Sequence, residues 1–595
     1  MSQAAVAEPD LGPLPEWDLT DLYSGPDSTE IAGEFDRLSD DIATFKKRFE
    51  GGVADLKPAT FGSAIGDFEA IQERLWRIGS YAQLLYATDM TDTAVGQFSQ
   101  NTREKLNDLS ADLLFFTLEL NRIKDADLTP MLEDASVLHY ASWIRNTRLF
   151  RDYELSDELE RLLHDKEVSG RGAWLRLFDE TSAALRFDIG GKALTSQEAL
   201  NLLSDKDEAI RRGAAEEIGR VFDKNVRVFA LITNTLAKDK EIDDRWRGYP
   251  APNAARHLSN QIEPEVIDAL TEAVQAAYPQ LSHRYYQLKA EWLGKKKLAH
   301  WDRNAPLPDD DDQAINWITA RDTVLNAYRS FSGELADIGG RFFENAWIDA
   351  PVRPGKVSGA FAHSTVPSAH PYLLLNYQGK ARDVMTLAHE LGHGVHQVLA
   401  APQGALLADT PLTLAETASV FGEQLTFRAL LDAESDARLR RVMLAGKVED
   451  MINTVVRQIA FYEFERRVHD ERGSGELTAE RIGEIWLQVQ IDSLGPAFTF
   501  DDSYRHYWSY IPHFVHSPFY VYAYAFGDCL VNSLYAVYLD GTPDFEAKYL
   551  EMLRAGGTLG HRELLAPFGL DATAPDFWAR GLDVISGFID ELETN

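Results

Sequence analysis

Three observations on the sequence predict a mainly α-helical protein. Apolar residues recur three, four or seven positions apart over long stretches, which is the spacing of the buried face of an amphipathic helix. Alternation with period two, the pattern of half-buried strands, is scarce. Hydrophobic residues make up 45% and charged residues 26% of the chain, as in ordinary globular proteins. The clearest helical stripes are Phe61, Ile65, Phe68, Leu75, Ile78, Ala82 and Leu85; Leu106, Leu109, Leu113, Phe116 and Leu120; and Ile210, Ala214, Ile218 and Phe222.

Two interruptions divide the helical pattern. Gly190 and Gly191 break it near residues 188–196, where Ser196 and Glu198 supply helix-start chemistry. Since 595 residues exceed one average domain, we expect an N-terminal helical lobe at residues 1–195 and a second domain at residues 196–595. The proline-containing stretch 349–371 cannot be a helix, and it leads into a predicted strand at 372–375 and a helix from about residue 381.

Charge and cysteine content exclude several classes of function. Asp and Glu outnumber Lys and Arg by 94 to 59, a net charge of −35, which repels phosphate backbones and anionic lipid head groups. We therefore expect neither nucleic acid nor a membrane as a partner. The single Cys529 cannot form an internal disulfide. The segment from Met1 to Pro13 lacks the pattern of a secretory signal, and no apolar run is long enough to span a membrane. These features predict a cytoplasmic protein.

The chemistry of the chain centres on a complete H-E-x-x-H motif at residues 389–393. Residues four apart lie one above the other on a helix, so His389 and His393 can bind one metal ion while Glu390 borders its open coordination position. On a helical wheel the histidines His389, His393 and His396 lie opposite an apolar arc, which should anchor the helix. The apolar arc consists of Val384, Leu387, Leu391, Val395 and Val398.

The sequence also predicts a close approach at two glycines of this helix and a third metal ligand beyond it. Gly392 and Gly394 each cost roughly 1 kcal/mol inside a helix, so we expect something, such as the substrate or a strand, to approach closely there. The metzincin spacing would place a third histidine at position 399, which is leucine. Glu416 is therefore the predicted third ligand. Glu423, seven residues further on the same helical face, is expected to orient a histidine, and His396 is assigned a supporting or structural role.

A second conspicuous segment, 504–527, is rich in tyrosine and histidine. Such side chains can donate hydrogen bonds to the oxyanion of a tetrahedral intermediate, a contribution of roughly 3–4 kcal/mol in well-placed cases. Aromatic core is the better interpretation for most of these tyrosines. His513 and Tyr524 are the candidates for a catalytic role.

Taken together, these segments resemble the oligoendopeptidase F branch of the thimet-oligopeptidase-like zinc metallopeptidases. The resemblance covers nearly the whole chain, and the combination of motifs is far more specific than any one of them. The matching segments are Trp17–Tyr23, Gly359–Phe361, His370–Tyr372, His389–His393 and Phe519–Tyr524.

The resemblance implies a two-lobed helical ellipsoid with a deep substrate channel, a small sheet near a zincin-type active site and one zinc ion at the channel floor. It also implies that only short unstructured peptides enter. By position, His389, His393 and Glu416 match the zinc ligands, and Glu390 matches the general base. The domain at residues 196–595 would then be the catalytic domain.

The resemblance also implies roles in binding the substrate. His513 and Tyr524 match the substrate and transition-state donors, although Tyr520 and Tyr522 are alternatives to Tyr524. Gly359 and Ala360 match a turn at the substrate. The strand through Leu374 is expected to pair with the substrate backbone by β-addition.

The expected activity is zinc-dependent endopeptidase hydrolysis of short oligopeptides, by Glu390-assisted attack of zinc-bound water. Two alternatives stay open from the sequence. A catalytically inactive peptide-binding protein would keep the fold without the chemistry, and a zinc exopeptidase would trim chain ends. Manganese or cobalt could occupy the same ligands in vitro. The oligomeric state is left undetermined.

Overall fold

Helices make up most of the chain, as the apolar stripes predict. The structure is a computed structural model, which describes residues 10–167, 169–307 and 314–594. Residues 1–9, which belong to the segment used to predict the absence of a secretory signal, lie outside these ranges. The described residues contain 27 α-helices and seven short strands, which confirms the mainly α prediction. No helix in these ranges is both long and apolar enough to cross a membrane.

The first half of the chain contains fourteen of these helices and a short antiparallel hairpin. The elements are α1 (Thr29–Phe49), α2 (Pro58–Thr88), α3 (Thr93–Ala111), α4 (Leu114–Arg122), α5 (Asp125–Met131), α6 (Ala135–Leu138), α7 (Ala141–Thr147), α8 (Asp157–Glu167), α9 (Arg171–Ala184), β1 (Phe187–Ile189), β2 (Lys192–Leu194), α10 (Ser196–Asn201), α11 (Glu208–Arg247), α12 (Ala254–Ser259), α13 (Pro264–Ala277) and α14 (Ser282–Trp292).

The second half contains the remaining helices and five strands. The elements are β3 (Leu298–Ala299), α15 (Trp317–Phe331), α16 (Gly333–Glu344), β4 (Ile348–Asp349), β5 (Phe361–His363), β6 (Tyr372–Leu374), α17 (Ala381–Ala400), α18 (Leu412–Ala415), α19 (Thr417–Ala433), α20 (Ala437–Thr454), α21 (Val456–Gly473), α22 (Ala479–Leu494), β7 (Phe498–Thr499), α23 (His513–His516), α24 (Tyr522–Leu539), α25 (Phe545–Arg554), α26 (His561–Leu565) and α27 (Pro575–Thr594).

Two of the three predicted stripes lie within single helices, α2 and α11, and the third does not. The stripe from Leu106 to Leu120 is split, because α3 ends at Ala111 and α4 begins at Leu114. The helix α4 packs on α7 and on a 3₁₀ turn at Val53–Asp55, whereas α3 packs on α2. Spacing alone did not reveal that the two halves of the stripe face different neighbours.

The predicted interruption near residues 188–196 is a hairpin. Gly190 and Gly191 form its turn with φ of 63° and 75°, a region that favours glycine. The helix cap that follows is Thr195, one residue before the predicted Ser196, and its side chain forms a capping box with Glu198. The domain boundary between residues 195 and 196 stays a prediction.

The chain forms two compact units, each drawn from three separated stretches. The first unit takes its described residues from 1–151, 312–433 and 538–569, and its centre is built from α15, α16, α17, α19 and α25. The second unit takes its described residues from 152–311, 434–537 and 570–595. There the 40-residue helix α11 packs against α9, α21 and the β1–β2 hairpin.

A three-stranded sheet in the first unit has the order β4–β6–β5. The central strand β6 is parallel to β4 and antiparallel to β5, and its Leu374 faces Asp349 on one side and Phe361 on the other. Leu374 is also fully buried. The prediction that this strand pairs with a substrate backbone is therefore wrong, because both of its edges are already occupied. Within the described residues, the exposed edge next to it belongs to β5.

The helices α17 and α19 approach each other closely at Gly392. A Cβ atom at this position would lie 2.5 Å from the carbonyl oxygen of Ala418 and 2.6 Å from the Cα atom of Ser419. At Gly394, a Cβ atom would lie 2.6 Å from the ring of Phe342. The two glycines thus admit a helix backbone and an aromatic ring, which confirms the close approach expected from the sequence.

We expect Gly392→Ala to lower the free energy of unfolding by about 1–3 kcal/mol, since the added methyl group forces α17 and α19 apart. Gly340→Ala is the matched control, because no atom lies within 4 Å of the place that a methyl group would take at that helical position in α16. The control should be neutral or stabilising by about 0.5–1 kcal/mol. Denaturant titration of both variants measures the difference. Equal stabilities would contradict the close approach.

Candidate active site

The helix α17 presents three residues of the predicted motif. Its apolar arc packs inward, since Val384, Leu387, Leu391 and Val395 are fully buried. Val398 is half-buried. On the other side of the helix, the side chains of His389 and His393 keep 27% and 20% of their surface exposed. The amphipathic pattern therefore anchors the helix while both imidazoles remain accessible.

Glu416 lies between α18 and α19 and brings a carboxylate to these imidazoles. Its Oε2 atom is 3.3 Å from Nε2 of His389 and 3.5 Å from Nε2 of His393. The ligand atoms of the three residues all lie within 4.8 Å of one another, and among the described residues they form the one potential metal-binding group. Two imidazole nitrogens and one carboxylate oxygen form a donor set that suits zinc and leaves a coordination position open.

Glu423 contacts the far side of one imidazole. Its Oε2 atom lies 3.2 Å from Nδ1 of His389, so this contact leaves Nε2 of the same ring directed at Glu416. His396 differs from the other two histidines of the helix. It is buried, it bonds to the backbone of Leu553, and its Nε2 atom has no hydrogen-bond partner. His396 therefore lies outside the group that could hold a metal.

Burial and charge act in opposite directions on the pKa values of these groups. Burial lowers the pKa of His389, but the hydrogen bond to Glu423 and the charge of Glu416 outweigh burial and raise it to about 9. For His393, burial prevails over the charge of Glu416 and lowers the pKa to about 4. Burial would raise the pKa of Glu416, yet the two histidines and Ser419 hold it below the usual range. The carboxylate of Glu416 is thus kept ionised, as a metal ligand must be.

Glu390 is held by the sheet. It is only 7% exposed, and burial raises the pKa of its carboxyl group to about 7. The backbone N–H of Ala362 in β5 donates a hydrogen bond to this carboxyl group and opposes that rise. Just before β5, the carbonyl oxygen of Gly359 accepts a hydrogen bond of 2.9 Å from Asn376, which fixes the turn that contains Ala360. Glu390 and the exposed edge of β5 therefore belong to one local arrangement.

Two contributors to the site were missed in the sequence. Ser419 donates a hydrogen bond of 2.6 Å to Oε2 of Glu416, and Ala362 donates through its backbone to Glu390. Ser419 follows Glu416 by three residues, a helical spacing that could have identified it. Ala362 contributes only its backbone N–H, so its residue type could not have predicted the contact with Glu390.

In the second unit, three of the predicted residues come together. Nε2 of His513 lies 3.3 Å from the hydroxyl oxygen of Tyr524, and the ring of Tyr520 stacks on that of His513 with centroids 5.9 Å apart. All three residues are half-buried. Tyr522 is not part of this group. It is fully buried, and its hydroxyl group is hydrogen bonded to Asn260.

The loop between His513 and Tyr524 is fixed by a buried carboxyl group that the sequence did not single out. Phe519 has a φ of 59°, which is strained for a residue with a side chain. Its backbone N–H donates a hydrogen bond of 2.9 Å to Oε1 of Glu465. Burial raises the pKa of Glu465 to about 8. Glu465 therefore holds the strained residue in place within the second unit.

We expect Glu423→Ala to weaken zinc binding by roughly 10–100-fold, because His389 would lose the partner that orients its ring. Competition with a chromogenic chelator measures this affinity. Asp432→Ala, an exposed position on the same helix, controls for the loss of one negative charge and should bind zinc as wild type does. An unchanged affinity in Glu423→Ala would show that the contact has no role in metal binding.

Comparison with known proteins agrees with this geometry. The model of Peptidase family M3 matches residues 201–584, and the model named Oligopeptidase F matches residues 119–187. Oligopeptidase PepF of Bacillus subtilis is 26% identical over 591 residues, covering 97% of this chain and 86% of that protein. An oligoendopeptidase F homolog of Lactococcus lactis is 25% identical, covering 97% and 96%.

Solved structures share the fold. The crystal structure of oligoendopeptidase-F from Enterococcus faecium superposes with a TM-score of 0.71 at 23% identity, covering 95% of this chain and 98% of that one. The family models and the relatives confirm the resemblance noted in the sequence and the assignment as a peptidase. Because the family model matches more than half of its length, the chain belongs to peptidase family M3.

Proposed function

We propose that the protein is a zinc-dependent endopeptidase that hydrolyses internal peptide bonds of short unstructured oligopeptides. The observation that carries the proposal is the convergence of His389, His393 and Glu416, with Glu390 next to them on the same helix as the histidines. The names of the relatives, oligopeptidase and oligoendopeptidase, support the substrate class.

Zinc is the metal that best fits the donor set of two histidines and one glutamate, although manganese and cobalt accept the same ligands. Bound there, zinc would lower the pKa of a bound water and polarise the scissile carbonyl group. One ion per chain is expected, since the described residues supply one such group.

Glu390 is the proposed general base. Its pKa of about 7 suits a group that takes a proton from the attacking water and then returns it to the leaving amine near neutral pH. The hydrogen bond from Ala362 keeps the carboxyl group in place for both transfers. No acyl-enzyme forms in this scheme, because water and not a side chain is the nucleophile.

The exposed edge of β5 is the proposed site of backbone pairing with the substrate. This strand follows the turn at Gly359 and Ala360, and it contacts Glu390 through Ala362. An extended peptide added to such an edge gains main-chain hydrogen bonds that do not depend on its side chains. The strand β5 thus takes the role that the sequence assigned to the strand through Leu374.

His513 and Tyr524 are the proposed donors to the substrate and to the oxyanion of the transition state. Their hydrogen bond to each other and their partial exposure support this role. Tyr520 is the remaining alternative to Tyr524, because it is half-buried beside His513. The full burial of Tyr522 argues against a direct role for that residue.

Cleavage of an internally quenched peptide of about ten residues, blocked at both ends, tests the proposed function. Wild type should cleave it, and Glu390→Gln should lose roughly 10²–10⁴-fold in kcat while retaining about one zinc ion per chain. Removal of the metal by a chelator should abolish cleavage, and added zinc should restore it.

The other outcomes of that experiment are equally informative. If the protein does not cleave the blocked peptide but removes residues from the ends of unblocked peptides, it is an exopeptidase. Zinc binding without any cleavage would favour a peptide-binding protein, and the absence of metal would refute the ligand assignment.

Substitution of single tyrosine hydroxyl groups tests the second part of the proposal. Tyr524→Phe should lower kcat by roughly 10²–10³-fold with little change in KM, because the lost hydrogen bond forms only in the transition state. Tyr520→Phe should have a smaller effect. Tyr522→Phe should affect mainly stability, since that hydroxyl group is bonded within the core. A larger loss of kcat in Tyr520→Phe than in Tyr524→Phe would reverse the assignment.

A further inference from the structure

Two arginines of the second unit lack the acidic partners that their neighbours have. Arg303 donates from Nε to the side chain of Asn304 at 3.3 Å, and Arg457 donates from Nη2 to the hydroxyl oxygen of Tyr510 at 3.0 Å. Among the described residues, neither guanidinium group forms an ion pair. The contrast is sharp, because the nearby Asp302 is paired with both Arg211 and Lys295.

Arg457 is half-buried, and part of its guanidinium group is withdrawn from water. Its Nε atom is buried and has no hydrogen-bond partner, and its guanidinium group lies 4.9 Å from the ring centroid of Phe461. Burial and the neighbouring charge of Arg303 both lower its pKa. Two guanidinium groups in such surroundings are costly unless a negative charge joins them. The carboxylate of Glu449 acts on Arg303 from a distance, but its ion pair is with Lys289.

A cavity lies beside these arginines. Its wall includes Arg303 and Tyr510 but no aspartate or glutamate. Both ring nitrogens of His300 are buried without a hydrogen-bond partner, as is the indole nitrogen of Trp301, and both residues also line the cavity. The hydroxyl group of Tyr510 accepts from Arg457, so its own hydrogen is available to donate. The wall therefore offers several hydrogen-bond donors and the positive charge of Arg303, and none of the residues that line it carries a carboxylate.

We propose that this cavity is an anion-binding site for a carboxylate-sized group, held by Arg303 and Tyr510, with Arg457 behind the wall holding Tyr510 through its hydrogen bond. Arginine pairs well with planar carboxylates, and charge-assisted hydrogen bonds of this kind are about twice as strong as neutral ones. The chain has a net charge of −35, so a shortage of acidic residues cannot explain why Arg303 and Arg457 form no ion pair among the described residues. The anion comes either from a peptide carboxylate or from a free anion in solution.

Thermal unfolding of the full-length protein tests the site without relying on catalysis. Chloride or acetate replaces a bulky sulfonate anion at constant ionic strength. The unfolding midpoint of wild type should rise and then saturate with anion concentration, because the ligand binds only the folded state. The rise should be lost in Arg457→Gln and in Arg303→Gln. Arg176→Gln, at an exposed position paired with Glu180, is the control and should respond as wild type does.

A milder variant guards against misfolding of the arginine variants. Tyr510→Phe keeps the ring that stacks on Phe222 with centroids 5.9 Å apart, and it removes only the hydroxyl group. Its anion concentration at half-saturation should increase roughly tenfold. The site is refuted if wild type shows no saturable response, or if the arginine variants and Tyr510→Phe respond as wild type does.

A comparison of two peptides distinguishes the two sources of the anion, and this part rests on the proposed function. The same quenched peptide is prepared as a free acid and as a C-terminal amide. A preference for the acid in kcat/KM that disappears in Arg457→Gln assigns the site to a peptide carboxylate. Equal rates, combined with a saturable thermal response, assign it to a free anion.

Discussion

The metal site depends on the close approach of α17 and α19 at Gly392. A side chain at that position would overlap the backbone at Ala418 and separate the helices. Glu416 lies directly before α19 and Glu423 lies in its second turn, so both carboxylates reach His389 only because the two backbones touch. Glycine at position 392 destabilises the helix, but its lack of a side chain allows Glu416 and Glu423 to reach the imidazole of His389.

The sequence was sufficient where helical geometry alone determines position. Four-residue spacing places His389 and His393 on one face of α17, and Glu390 follows His389 directly. These relations hold in any undistorted helix, so they did not require knowledge of the tertiary fold. Glu416 was selected because position 399 is leucine and not histidine, and the family resemblance agreed with that choice. The same local reasoning located the helix from residue 381 and the strand at residues 372–375.

The sequence was insufficient where position depends on pairing between distant segments. The strand through Leu374 was recognised, but its central place in the sheet follows from contacts with β4 and β5. In the same way, Tyr520, Tyr522 and Tyr524 are equivalent by composition, and only packing separates the buried Tyr522 from its neighbours. Arg303 and Arg457 are 154 positions apart in the chain, so their proximity in the fold could not be anticipated.

The division of the metal-bearing unit into three stretches has a consequence for its synthesis. Its last stretch, residues 538–569, contains α25, which packs on α17. A ribosome must therefore synthesise the chain through residue 554 before that helix is complete. Until then, α17 lacks one of the helices that pack on it, a situation in which chaperones commonly intervene. We expect chains that end before α25 to be inert, so that proteolytic activity arises only after this helix has been made.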